Sequence, residues 1–307
     1  MPPMPGMPPA DVQITSALVA GLIRRSVPDV GSETLSAQPA ARGWDCETWR
    51  LGEKLAVRLP RRAAAAAGVA HEQAVMRSLS ENLAAADVGA PDVVFAGRPD
   101  ETFPYPWSVV TWHEGSTGLD VAREDRRAWA APLAHALRAI HRTAPGDLPA
   151  NPARGGALST RAESVARHLS ALRETSTVGA RDIGLLARLW DEGLAADGWR
   201  GAPALIHGDL HPGNLIARGP RLVAVIDFID VAPGDPAYDL AAAWLCFDAD
   251  GRRAFIRNTE DVFAADDWIR ARAWAAAFTA ILLGQSDDLP AYAALARESL
   301  AELRRWP

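Results

Sequence analysis

The feature that most constrains this chain is an interruption in a helical stretch. Beyond residue 112 apolar residues recur at helical spacing over residues 121–141, 158–173, 181–196, 236–247, 254–263, 268–283 and 289–305. Between residues 205 and 228 that pattern breaks. A short apolar segment leads into the polar loop His207-Gly-Asp-Leu-His-Pro-Gly-Asn214, followed by Leu215-Ile-Ala217, a Gly219-Pro220 turn and Leu222-Val-Ala-Val-Ile226. Two short apolar runs about such a turn read as a pair of buried strands. Few architectures place a hairpin there, and this one fixes a polar loop and Asp227 at neighbouring strand ends.

The first 112 residues have the opposite texture. Residues 1–10 open with five prolines in nine positions and lack a basic cluster or apolar run, so they read as a flexible tail and not a signal peptide. Helical spacing follows over Ala17, Leu18, Val19, Leu22 and Ile23, with Thr15 or Ser16 as N-cap. Residues 33–40, 46–51 and 54–59, separated by Arg42-Gly-Trp-Asp45 and Gly52-Glu53, predict an antiparallel meander. Residues 63–83 predict a helix despite Gly68, and 93–96 and 107–112 predict two further strands. The expected fold is α+β and two-lobed: an N-terminal lobe over 11–112 with five antiparallel strands and a helix, then a mainly helical lobe over 113–307.

Composition narrows the function. Hydrophobic residues at 49% and charged residues at 23% match a soluble globular chain, and no apolar run reaches the ~18 residues of a membrane span. A net charge of -6 argues against nonspecific nucleic-acid binding and is compatible with a cationic ligand. Cys46 and Cys246 form neither a disulfide framework nor a thiolate zinc site, so a reducing, cytoplasmic setting is expected, with a monomer or weak dimer.

The chemistry lies in the interrupted segment. Asp209 and Asn214 have the D-x-x-x-x-N spacing of a kinase catalytic loop, and Asp227 follows at a strand end. Phosphoryl transfer needs hard oxygen ligands for Mg²⁺, here the Asn214 amide and the Asp227 carboxylate. It also needs a carboxylate to orient the acceptor hydroxyl, which leaves Asp209. A zinc site from His207, Asp209 and His211 fails, because Pro212-Gly213 prevents helical display of the histidines and no further ligand is suitably spaced. His207 is expected to be buried and bonded to backbone near Asp227.

With these motifs the chain resembles the aminoglycoside phosphotransferase family, whose catalytic loop is written H-G-D-x-x-x-x-N, from about residue 35 to 306. The resemblance implies a protein-kinase-like fold and ATP- or GTP-dependent O-phosphorylation of a small molecule. Asp209 looks like the catalytic aspartate, Asn214 and Asp227 like the magnesium ligands, and Asp239 like a structural aspartate at the head of the next helix. Two positions depart from the kinase pattern. Arg58, in Leu55-Ala-Val-Arg-Leu-Pro60, stands where a kinase has lysine, and Glu72 is similar to the helix glutamate that pairs with that cation; arginine keeps the charge and can fork onto phosphate. The phosphate-covering loop has only Gly43. Thr111 and Trp112, at the lobe junction, are expected to offer backbone groups to the base, with Val57 and Ile226 as its walls.

Acceptor recognition falls to the helical lobe. Glu114, Asp230, Asp235, Asp261, Asp266 and Asp267 are the carboxylates expected near the cleft, and a polycationic antibiotic would need such groups. Trp244, Trp268 and Trp274 read most simply as core. The leading expectation is a kinase for an aminoglycoside or a basic cyclic peptide of the tuberactinomycin type. A macrolide kinase or a kinase for choline, homoserine or a ketosamine is the alternative among enzymes, and a nucleotide-binding pseudokinase the alternative outside them.

Overall fold

A computed structural model describes residues 8–27, 37–175, 178–286 and 289–305. Positions 1–7 of the expected tail and 33–36 of the first expected strand lie outside the described residues. Residues 8 to 11 run along the N-terminal lobe, where the Asp11 amide donates to the Arg61 carbonyl at 2.8 Å.

Thr15 caps α1 (Ser16–Ser26) by accepting from the Leu18 amide. The meander follows as β1 (Ala37–Arg42), β2 (Cys46–Leu51) and β3 (Leu55–Pro60). Helix α2 (Ala63–Ala85) leads on to β4 (Val93–Gly97) and β5 (Trp107–Thr111), and the five strands form one antiparallel sheet in the order β1-β2-β3-β5-β4. Strand alternation splits this sheet into two faces. On one, Trp49, Leu51, Val57, Leu59, Trp107 and Val109 pack with Val19, Leu22 and Ile23 of α1. The other carries Arg58. Gly68 is tolerated in mid-helix because α2 presses on the chain beyond Asp227: a Cβ there would lie 2.6 Å from the Ile229 carbonyl oxygen.

Past the junction, β6 (Ser116–Thr117) joins a different sheet. The helix expected over 121–141 is shorter in the structure, with 3₁₀ turns at Gly118–Asp120 and Asp125–Trp129 before α3 (Ala130–Ile140). Tertiary contacts override the periodicity here. Arg123 donates to the carbonyls of Trp244, Leu245 and Phe247, holding its segment against a distant helix end. Helices α4 (Ala162–Thr175) and α5 (Ala180–Ala195) precede β7 (Ala204–Ile206), β8 (Leu215–Arg218), β9 (Arg221–Val225) and β10 (Ala232–Gly234). Strands β8 and β9 form the predicted hairpin and take β6 on the open edge of β8, while β7 pairs with β10.

The helix expected over 236–247 divides into α6 (Ala237–Leu240) and α7 (Ala242–Cys246). The next, α8 (Ala249–Arg257), starts five residues before its expected position, because Asp248 caps it by accepting from the Gly251 amide at 2.9 Å. Helices α9 (Ala265–Gln285) and α10 (Pro290–Leu303) complete the lobe. Its core contains Trp129, Trp244, Trp268 and Trp274, so the three tryptophans expected there are core residues. Among the described residues no helix is long and apolar enough to cross a membrane.

Candidate active site

The His207–Asn214 loop is held open from below by Asp239. This carboxylate is fully buried and accepts from the amides of His207 at 2.7 Å and Gly208 at 3.0 Å, with His141 Nε2 at 2.9 Å. Gly208 has φ +84°, and a Cβ there would lie 2.4 Å from the Asp230 carbonyl oxygen, so the turn needs glycine. His207 is buried as expected. Its Nε2 lies 2.9 Å from the Ile226 carbonyl and must donate, which leaves Nδ1 to accept from the Asp209 amide at 3.2 Å. This ring therefore ties the start of the loop to the strand end at Asp227.

At the far end of the loop, the Ile226 amide donates to the Asn214 carbonyl at 2.9 Å, which sets residues 214 and 227 side by side across the hairpin. Asn214 Nδ2 donates to Asp209 twice, to the carbonyl at 2.8 Å and to Oδ2 at 3.1 Å. The amide orientation is thereby fixed, with Oδ1 turned away from Asp209. Asp227 has φ +65°, a left-handed conformation that aspartate adopts more readily than most residues, and its side chain is 41% exposed. Burial opposes ionisation of Asp209, but His211, Arg154 and His207 hold its carboxyl well below the ordinary range. Its carboxylate is therefore charged.

Arg58 reaches down from β3 to this hairpin. Its Nη1 lies 2.6 Å from Glu72 Oε1 and its Nη2 2.6 Å from Asp227 Oδ1. Burial works against the Arg58 charge, yet Glu72 and Asp227 raise it well above its ordinary value. Burial also pushes the Glu72 carboxyl up, against the pull of Arg58 and of the Phe228 amide. A guanidinium so firmly charged at 2.6 Å keeps the pair ionic. Arg58 and Glu72 thus meet as the resemblance implies, and Asp227 joins them.

Other expected site residues fall elsewhere. Val57 is no wall of the cleft: it is fully buried on the α1 side of the sheet, one residue out of phase with Arg58, and Ala56 is the neighbour that shares the face of Arg58. Period-two alternation from Arg58 already contained that correction. The Gly43 amide donates to the Cys46 carbonyl at 2.8 Å and is committed to its own turn. Likewise the amides of Thr111 and Trp112 donate to Asp92 and Lys54 carbonyls, so neither is free for a base. The Arg50 guanidinium lies 4.6 Å from the Trp112 ring centroid. Ile226 is half-buried, and the register places Ile216 on the same hairpin face.

Five of the six carboxylates expected to meet an acceptor have cationic partners within the chain. Glu114 pairs with Arg50 across the junction and Asp261 with Arg138 on the surface. Asp235 and Asp267 are both buried and both held by Arg270, at 2.7 and 2.6 Å; Asp267 also caps α9 at the Ala264 amide. Asp230 lies next to the loop but is gripped by Arg154 at 2.7 Å. Asp266, half-buried, is the exception among the described residues. Arg154 has no signature in the sequence, since a lone arginine in a Pro- and Gly-rich stretch carries no motif.

The donor set fits magnesium. Asn214 Oδ1 and the Asp227 oxygen not bonded to Arg58 are hard oxygens on adjacent strand ends, and no group of three or more His, Cys, Asp or Glu suited to a protein-only metal cage exists among the described residues. That pattern suits a cation whose remaining ligands are water and phosphate.

The profile described as the phosphotransferase enzyme family matches residues 36–276. No curated protein matches the chain. Among solved structures, the GDP complex of aminoglycoside 2'-phosphotransferase-IIIa superposes with a TM-score of 0.68 at 17% identity, covering 94% of this chain and 99% of that one. Macrolide 2'-phosphotransferase MphH from Brachybacterium faecium gives 0.59 at 21% identity, over 95% and 98%. The ternary complex of a thermostable aminoglycoside phosphotransferase APH(4)-Ia mutant with AMP-PNP and hygromycin B gives 0.57 at 17%, over 93% and 97%. These likenesses establish a shared kinase-like fold, and the family match over most of the sequence goes further: the chain belongs to the phosphotransferase enzyme family and is a phosphotransferase with an alcohol group as acceptor.

Proposed function

We propose that the protein moves the γ-phosphoryl group of ATP or GTP to a hydroxyl of a small antibiotic-like molecule. The observation that carries this reading is the convergence of Asp209, Asn214 and Asp227 at the ends of paired strands, with Arg58 locked onto the last of them. In this reading Asp209 is ionised, orients the acceptor hydroxyl and takes its proton as the phosphoryl group transfers. Asn214 and Asp227 would hold Mg²⁺, which supplies charge neutralisation on the nucleotide phosphates. Arg58, fixed by Glu72, turns its charge toward the same phosphates, and Ile226 and Ile216 line the floor beneath the base.

The acceptor is the finer question. An aminoglycoside or a tuberactinomycin-type peptide carries several ammonium groups and needs several unpaired carboxylates, whereas five of the six expected here already hold an arginine. That observation favours an acceptor with at most one cationic group, such as a macrolide or a small amino alcohol, over the polycationic class. Purified protein with MgATP or MgGTP and a panel of aminoglycosides, macrolides, tuberactinomycins, choline and homoserine tests both levels. Phosphorylation of a macrolide or single-cation substrate in preference to the others is the expected result. Efficient phosphorylation confined to aminoglycosides would reverse the order of the two acceptor classes, and absence of nucleotide binding would refute the donor assignment.

A further inference from the structure

The 149–157 loop, between α3 and α4, packs its Arg154 against the candidate active site. Arg154 Nε and Nη2 donate to Asp230 Oδ2 at 3.0 and 2.7 Å, Nη1 donates to the Tyr238 hydroxyl at 3.2 Å, and Nη2 lies 3.8 Å from Asp209 Oδ1. Asp230 is itself steadied by Asn151 Nδ2 at 3.1 Å. The loop is braced as well. Gly155 has φ +64° and sits so close to β7 that a Cβ would lie 2.3 Å from Ile206 Cδ1, and its carbonyl accepts from the Asp235 amide at 2.9 Å. Such a loop presents its arginine in one place.

Three of the five N–H groups of this guanidinium are spent on Asp230 and Tyr238, which leaves two, on a side chain 28% exposed beside Asp209. The reaction has a use for them. Negative charge spreads over the equatorial oxygens of the phosphoryl group as it transfers, and a fixed cation there stabilises the transition state. His207–Asn214 contains no lysine or arginine, and Arg58, held by Glu72 and Asp227, serves the nucleotide side in the proposed reading, not the acceptor side. An acceptor hydroxyl bonded to Asp209 stands about 2.6–3.2 Å from its carboxylate. The phosphorus it attacks is about 3–3.5 Å further on. A guanidinium 3.8 Å from that carboxylate is within the same span.

We infer that Arg154 is a catalytic residue that contacts the phosphoryl group in flight, held in place by Asp230, Tyr238 and Asn151. In the step it serves, the acceptor oxygen forms a bond to the γ-phosphorus as the bond from that phosphorus to the β–γ bridging oxygen breaks. The electron pair of the broken bond leaves on the nucleoside diphosphate, and the hydroxyl proton passes to Asp209. Arg154 exchanges no proton. Its unspent N–H groups bond the equatorial oxygens.

This inference rests on the phosphotransfer reading, and a transition-state mimic tests it without knowing the acceptor. Wild-type protein and the variants R154A and R154K are titrated with MgADP or MgGDP, alone and with aluminium fluoride, which completes a mimic of the transferring phosphoryl group. The wild type is expected to gain affinity for the diphosphate when fluoride is added. R154A should bind the diphosphate alone as the wild type does and lose at least about tenfold of the gain, with R154K between them. Nucleotide hydrolysis, with water as acceptor, should fall about 10²-fold or more in R154A. A wild type without the gain, an R154A that keeps it, or an R154A that loses diphosphate affinity in equal measure would overturn the assignment. A wild type that binds neither diphosphate refutes the phosphotransfer reading itself, a result distinct from these.

Discussion

The aspartates of this lobe fall into two populations that differ in what surrounds them. Asp209, in the loop before β8, and Asp227, just past β9, keep side chains 31% and 41% exposed. Asp239, Asp235 and Asp267 are buried, and their oxygens are spent on backbone amides, a histidine or Arg270. Burying a carboxylate costs several kcal/mol unless every lone pair finds a donor. The buried group therefore pays its desolvation by organising the fold, and cannot also meet a ligand. In the proposed reading, reactivity and structural support are carried by the same residue type, and accessibility separates them.

This contrast predicts opposite phenotypes. The largest effect is expected at Asp239: Asp239→Ala strands the amides of His207 and Gly208 and should cost roughly 3–5 kcal/mol of unfolding free energy, measured by denaturant titration. Asp209→Ala should show the opposite balance, losing less stability than Asp239→Ala while turnover falls roughly 10²-fold or more and nucleotide still binds. An Asp209→Ala destabilised as much as Asp239→Ala, or an active and stable Asp239→Ala, would overturn this contrast.

A pH dependence sharpens it further. Burial opposes the Asp239 charge, but His141 and His207 hold its carboxyl below its ordinary value. A carboxyl with a depressed folded-state pKa contributes stability that is present above the unfolded value near pH ~4 and disappears as pH falls through the folded value. The stability difference between wild type and Asp239→Asn should accordingly be greatest above pH ~4 and shrink below it, as measured by urea titration at stepped pH. The smallest effect concerns the paired acids. Neutralising Asp261, an exposed partner of Arg138, should change KM for the acceptor less than about twofold and leave its salt dependence flat. A several-fold rise in KM that fades at high salt would return Asp261 to the acceptor site.

Much of this arrangement was legible in the sequence because the signals are local. Thr15 caps the helix it precedes, the three meander strands follow their turn residues, and the Gly219-Pro220 turn joins β8 to β9. Asp209, Asn214 and Asp227 could be singled out because their spacing along the chain matches their grouping across one hairpin. Val57 lies on the other face of the sheet from Arg58, as strand alternation dictates. The short 3₁₀ turns before α3 are different, since the carbonyls that hold Arg123 come from more than a hundred residues away.

Legible in the letters alone is the chemistry offered in the proposed reading: a loop carboxylate, two hard oxygens for a cation and a cation on β3, each placed within its own element by short-range patterning. What the tertiary structure alone decided is which charges remain available. Five carboxylates that look alike as letters are neutralised by Arg50, Arg138, Arg154 and Arg270, none of them within two residues of its partner in the chain. Arg154 comes to lie against Asp209 from 55 positions earlier. An ion pair depends on distance in space, which falls off steeply over a few ångströms, and separation along the chain does not encode it.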